Sequence, residues 1–142
     1  VRILVPIDGA APAQRALAHA LTIARGREDA LIILVNVQSA ETLDVSDVSG
    51  VVSAAADRKL AAQRSAHALR DAVAMCHEAG VHYETRSELG PIAETIDRLS
   101  HELQTDQIVM GTRGHDAVRR LLLGSVATKV VQLVSVPVTL VK

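Results

Sequence analysis

Ile3-Leu4-Val5-Pro6-Ile7 and Leu31-Ile32-Ile33-Leu34-Val35 are apolar runs rich in β-branched residues, and no polar residue interrupts either one. A strand with one wet face alternates apolar and polar residues. These two do not, so both are expected to be strands buried on both faces, as in a parallel sheet. Between them lies Ala11 to Arg25. Pro12 suits a first helical turn, Leu17, Leu21 and Ala24 recur on one helical face, and Gly26 closes the segment. The unit reads strand–helix–strand.

Working outward, the unit repeats. Lys59 to Glu78 is Ala-rich and expected to be helical, with Leu69, Val73 and Cys76 on one face and Gly80 at its end. Val81 to Arg86 alternates, which predicts a strand with one wet face and hence an edge. Gly90-Pro91 opens a helix with Ile92, Ile96, Leu99 and Leu103 on one stripe. Gln107 to Met110 is a short strand, and Leu121 to Val134 a helix with Val126, Val130 and Leu133 on one side. Val136 to Val141 is the last strand, and Pro137 places it at an edge. Five strands alternating with four helices predict an α/β fold over residues 1–142 as a single domain. The expected architecture is a three-layer α/β/α sandwich on a five-stranded parallel sheet, in the flavodoxin-like order 3-2-1-4-5. Glu41 to Asp57 is too long for an ordinary connection. It carries Glu41, Asp44, Asp47 and Asp57 without a basic residue, and reads either as a lid or partner loop or as a surface excursion.

Composition closes off several classes. The chain has 142 residues, 49% hydrophobic and 22% charged, with Tyr83 as its one aromatic residue. Its core must therefore be Leu, Val, Ile and Ala. Fifteen basic and sixteen acidic residues leave a net charge of -1, which gives no global attraction to nucleic acid or anionic lipid. A single cysteine, Cys76, excludes an intrachain disulfide and any multi-cysteine metal site; its place on an apolar stripe reads as a buried inert thiol. No run approaches a membrane span and no signal peptide opens the chain, so no membrane association and a cytoplasmic setting are expected. The start at Val1 points to N-terminal processing or trimming. His77-Glu78 and His101-Glu102 each begin an H-E-x-x-H pattern, but Val81 and Thr105 stand at the closing positions, so neither is a zinc motif.

In a doubly wound sheet the ligand crevice lies at the carboxyl ends of the strands, here between strands one and four. Strand one ends in Pro6-Ile7-Asp8-Gly9. Strand four runs through Met110 into Gly111-Thr112-Arg113-Gly114-His115, and Gly124-Ser125 follows at or near the start of the next helix. Gly111 and Gly114 are expected to permit φ > 0 and to let backbone N–H groups approach an anion. Unpaired N–H groups and the positive dipole end at Gly124-Ser125 favour phosphate, and Ser125 is expected to cap the helix or to donate to a phosphate oxygen. Arg113, Arg119, Arg120 and Lys129 against Asp116 make the region locally basic. Asp8 reads either as a ligand residue, with a possible role toward a phosphate-bound Mg²⁺, or as a cap for the following helix. His115 reads as a phosphate neighbour or as a solvated loop residue. His19 and His67 read as interface or surface residues.

The run Gly111-x2-Gly114-x9-Gly124-Ser125 resembles the G-2x-G-9x-G-(S/T) nucleotide motif of the universal stress protein family. The opening Ile3 to Gly9 and the ending Val136-Pro137-Val138 resemble that family too, so the likeness covers the whole chain. It implies an adenine nucleotide-binding, alpha-hydrolase-like fold and membership of the ATP-binding branch. By position, Pro6, Ile7 and Asp8 would border the adenosine, and Val37, after strand two, would offer backbone groups to adenine. Met110, Gly111, Gly114, Gly124, Ser125 and Val126 would line ribose and phosphates, with Arg113 and His115 adding charge or a donor. Ala127 stands where some members carry a Thr hydroxyl, which removes one phosphate contact. The implied ligand is ATP, or ADP or AMP, with Mg²⁺, and the implied partner is a second copy through Val136, Val138 and Leu140 of the last strand.

The function this implies is that of a stress-response nucleotide-binding regulator. A slow ATPase and a nucleotide-independent dimeric adaptor are the alternatives. Missing residues disfavour two other uses of the fold. A flavin carrier would want aromatics for stacking, and a phospho-receiver would need an aspartate where strand three runs into Arg86-Ser87-Glu88.

Overall fold

The computed structural model describes residues 1–39, 54–113 and 123–142. The elements alternate: β1 (Arg2–Pro6), α1 (Ala11–Ala24), β2 (Leu31–Gln38), α2 (Ala54–Ala79), β3 (His82–Leu89), α3 (Ile92–Glu102), β4 (Gln107–Gly111), α4 (Ser125–Leu133) and β5 (Val138–Val141). The five strands form one sheet in the order β3-β2-β1-β4-β5. Every neighbouring pair is parallel, with Leu4 opposite both Ile33 and Ile108 at the centre.

The uninterrupted apolar runs are explained by the two cores that flank the sheet. Ile3 and Val5 of β1 and Ile32 and Leu34 of β2 face one way, onto Leu17, Leu21, Leu69 and Cys76 of α1 and α2. Leu4, Ile33 and Val35 face the other way, onto Ile96, Leu99 and Val130 of α3 and α4. Both faces of the central strands are dry along these runs, so a polar residue buried there needs hydrogen-bond partners. Pro6 is the last residue of β1, where its missing N–H costs no ladder bond within the strand; Ile7 resumes pairing by donating to the Val35 carbonyl at 2.7 Å. The edge character of β3 holds, since His82, Glu84 and Arg86 are exposed and only Tyr83 packs inward.

Several boundaries differ from the sequence reading. β2 continues to Gln38, so Val37 lies inside the strand. α2 begins at Ala54, so residues 54–57 of the expected acidic loop are helical; the earlier part of that loop lies outside the described residues. β5 begins at Val138, because Pro137 contributes its carbonyl to Ile108 but has no N–H of its own. α4 begins at Ser125, with Leu123 and Gly124 ahead of it non-helical and residues 121–122 outside the described range. On α4, Leu133 is 41% exposed; Ala127 and Val130 are the buried residues.

Candidate functional site

Two turns at the carboxyl edge of the sheet, after β1 and after β4, frame the site. After β1 the chain reverses through Asp8 and Gly9. Asp8 Oδ1 accepts the Ala10 N–H at 2.9 Å, while Ala10, the N-cap of α1, makes no side-chain cap bond. The carboxylate therefore organises the turn that leads into α1. Gly9 sits at φ +86°, a conformation open to glycine, and the site its Cβ would occupy lies 3.6 Å from the Ala68 Cα of α2.

After β4 the chain turns at Thr112, whose N–H donates to Val141 and whose carbonyl accepts from the Gly124 N–H at 2.6 Å. That bond brings the start of α4 to the end of β4. Gly124 is the N-cap, and its carbonyl accepts from both the N–H and the hydroxyl of Thr128. Ser125 is thus the first helical residue and not the cap. The amides of this first turn have no acceptor within the helix and carry the positive end of its dipole.

Gly111 has no positive φ, contrary to expectation; its small size is needed elsewhere. A Cβ there would stand 2.9 Å from the Pro12 Cβ and 3.0 Å from the Pro12 carbonyl carbon. Gly111 therefore lets the start of α1 pack against the end of β4.

Between these turns lies a cavity of about 840 Å³, a size typical of small-molecule sites. Pro6, Ile7, Asp8, Val37, Met110, Gly111, Arg113, Gly124, Ser125 and Val126 all line it, although they come from four separate segments of the chain. Ala127 lines it as well. Gly114 and His115 lie outside the described residues, as do Arg119 and Arg120. Lys129, counted in the basic region, is instead paired with Glu94 of α3, and the hydrogen bond to Lys129 lowers the Glu94 pKa.

Two parts of the lining were missed in the sequence. The first is a buried polar network at the end of β2. Asn36 is 2% exposed; its Nδ2 donates to the Ile7 carbonyl at 2.7 Å. Its Oδ1 accepts from Gln38 Nε2 at 2.8 Å and from the buried Ser65 hydroxyl of α2 at 2.6 Å. A lone asparagine in the apolar run of β2 was the available signal, since a polar residue buried in a sheet needs partners. The second is one face of α2, with Leu60, Gln63, Arg64, His67 and Asp71 along the cavity. Their spacing at i, i+3, i+4, i+7 and i+11 marks a continuous stripe beside the buried one. His67 is therefore a cavity residue.

Among the described residues, no group of three or more His, Cys, Asp or Glu could hold a metal ion, and no helix is long and apolar enough to cross a membrane. The carboxylates among the described lining residues are Asp8 and Asp71.

Comparison with known proteins agrees with this architecture. The model of the Universal stress protein family matches residues 1–142. A universal stress protein of Methanocaldococcus jannaschii is 32% identical over 144 residues, covering 99% of this chain and 81% of that protein. The crystal structure of a universal stress protein in complex with cAMP superposes with a TM-score of 0.70 at 23% identity, covering 99% of this chain and 94% of that one. A universal stress family protein of Arabidopsis thaliana with AMP bound gives a TM-score of 0.70 at 22% identity, covering 100% and 91%. With its sheet order, its strand-end cavity and a family match along its full length, this chain belongs to the universal stress protein family.

Proposed function

We propose that this protein binds an adenine nucleotide (AMP, ADP or ATP) in the strand-end cavity and acts as a stress-response regulator whose populations the nucleotide shifts. In this reading residues 1–142 form one nucleotide-binding domain. The carrying observation is that one cavity is lined both by Arg113 with the start of α4 and by the ends of β1 and β2; in this reading these are its phosphate and nucleoside ends. At the first end, the Ser125 and Val126 amides at the start of α4 stand with Arg113, a combination suited to an anion. At the other, Pro6, Ile7 and Val37 offer apolar surface and backbone groups, with Asp8 able to accept from a ribose hydroxyl. The AMP and cAMP in the two related structures support this ligand class.

Where ATP brings Mg²⁺, Asp8 would reach from the ribose end toward the ion, which would neutralise phosphate charge. Turnover is expected to be very slow. Hydrolysis needs a held water and stabilised transition-state charge, and the described lining residues present no established arrangement for either.

The reading includes a homodimer through the last strand. Among the described residues β5 is paired only with β4, and Val136, Val138 and Leu140 are half-buried against the α4 core. Val131 on α4 is 47% exposed. Light scattering at high micromolar concentration should give twice the chain mass; monomer mass with and without ATP would overturn the dimer.

The binding test is calorimetric titration of nucleotide-stripped protein with Mg-ATP and with AMP. One saturable site per chain is expected. No heat, together with no competition against a fluorescent ATP analogue, would overturn the reading in favour of a nucleotide-independent adaptor.

A further inference from the structure

α2 extends past the sheet it packs on. β2 and β3 are parallel, so the helix between them runs back from the carboxyl edge toward the amino edge. The Ser65 hydroxyl donates to Asn36 Oδ1 at 2.6 Å, which sets Ser65 level with Asn36 of β2. Ahead of Ser65, α2 contains residues 54–64, about 16 Å of helix. Beyond Asn36, β2 has only Val37 and Gln38, about 7 Å of strand. Roughly 10 Å of α2 therefore overhangs the edge where the cavity opens.

Leu60 stands about 7 Å ahead of Ser65, at the level where β2 ends, and Gln63 stands about 3 Å ahead, level with the last residues of β2. Both line the cavity, as Arg64 does, and the packing of α2 needs neither Leu60 nor Gln63. The helix is anchored through Ala61, Ser65, Leu69, Ala72 and Cys76, all buried. Leu60 is 36% exposed and is one of the large apolar side chains left outside the core.

We infer that the stretch of α2 level with the end of β2 is the base-reading wall of the site, with Leu60 packing on the face of adenine and Gln63 reading its edge. The inference rests on the nucleotide reading above. Arg113 and the start of α4 follow β4, and the strands run β4, β1, β2 from there. Two strand spacings are about 10 Å, so a nucleotide with its phosphate at α4 carries its base across β1 to the end of β2, beside α2. A glutamine carboxamide accepts from adenine N6–H and donates to N7. Guanine presents two acceptors at the same edge, which sets the carboxamide oxygen against an acceptor.

The test titrates nucleotide-free wild type, Leu60→Ala and Gln63→Ala with AMP and with GMP, with ligand-free thermal melting as the folding control. Wild type should prefer AMP. Gln63→Ala should lower that preference about tenfold by weakening AMP alone, while Leu60→Ala weakens both nucleotides alike; both should melt as wild type does. If Gln63→Ala melts early, Gln63→Glu keeps the side-chain length, replaces the donor toward N7 with an acceptor, and should lose the same preference. Wild-type affinities for both nucleotides in folded variants would overturn the wall and leave the nucleotide reading standing. A wild type that binds neither AMP, GMP nor Mg-ATP would overturn both.

Discussion

Gly111 is packed onto Pro12 so tightly that a Cβ on the glycine would stand 2.9 Å from the Cβ of the proline. The contact joins the end of β4 to the first turn of α1, and its other near neighbours are Pro12 backbone atoms that do not rotate away. Gly111→Ala should therefore cost about 1–3 kcal/mol through overpacking. Urea denaturation of the variant, with its slope unchanged and its midpoint lowered, checks this.

Asn36 holds the Ile7 carbonyl, Gln38 and the Ser65 hydroxyl through one carboxamide. Asn36→Leu removes all three bonds and leaves the Ser65 hydroxyl buried without its acceptor. A loss of about 2–4 kcal/mol is expected from unsatisfied buried groups. Removing the second partner as well, in Asn36→Leu with Ser65→Ala, should recover part of it. A double-mutant cycle by thermal melting reads the coupling, and simple additivity would count against a shared network.

Ser125 is exposed at the first position of α4 and lines the cavity. A carboxylate there has opposite effects on stability and on binding. Ser125→Glu should stabilise the free protein by a few tenths of a kcal/mol, up to about 1, through the helix dipole. It should also weaken AMP and ATP strongly by repelling their phosphates. Melting and calorimetry on the same preparation test the opposed signs; unchanged ATP affinity would move the phosphate away from α4.

Cys76 is fully buried, and burial pushes its thiol up to about 11 from a usual value near 9. The folded thiol should react with a disulfide reagent only after denaturation. The linkage follows from the direction of the shift. Below pH 9 the thiol is protonated in both states and contributes no pH dependence. Between 9 and 11 the unfolded thiol ionises while the folded one stays protonated, so stability should fall as pH rises through that window. Cys76→Ala should remove that part of the slope in a pH series of urea melts.

Lys129 is paired with Glu94 rather than turned to the cavity. Lys129→Ala should leave nucleotide affinity unchanged at moderate salt, whereas Arg113→Ala should lower it. Calorimetry on the two variants separates a lining cation from one that only adds to local net charge.

The sequence alone determined the order of elements and the position of the crevice. Apolar runs such as Ile3 to Ile7 and Leu31 to Val35 can be satisfied only between two helical layers, and that requirement is local in origin. The glycine spacing from Gly111 to Gly124 marked the β4–α4 edge of the cavity for the same reason, since it lies within one stretch of chain. Tertiary structure alone decided what depends on contacts between distant segments. Gly111 meets Pro12 across a gap of ninety-nine residues in the chain, and its smallness answers to packing rather than to a positive φ. Asn36 finds Ser65 on α2, and Leu60 and Gln63 reach the crevice because that hydrogen bond sets the height of the helix against the sheet. Periodicity states which face of a helix is buried; how far the helix projects beyond the strand it covers is set by the contacts that anchor it.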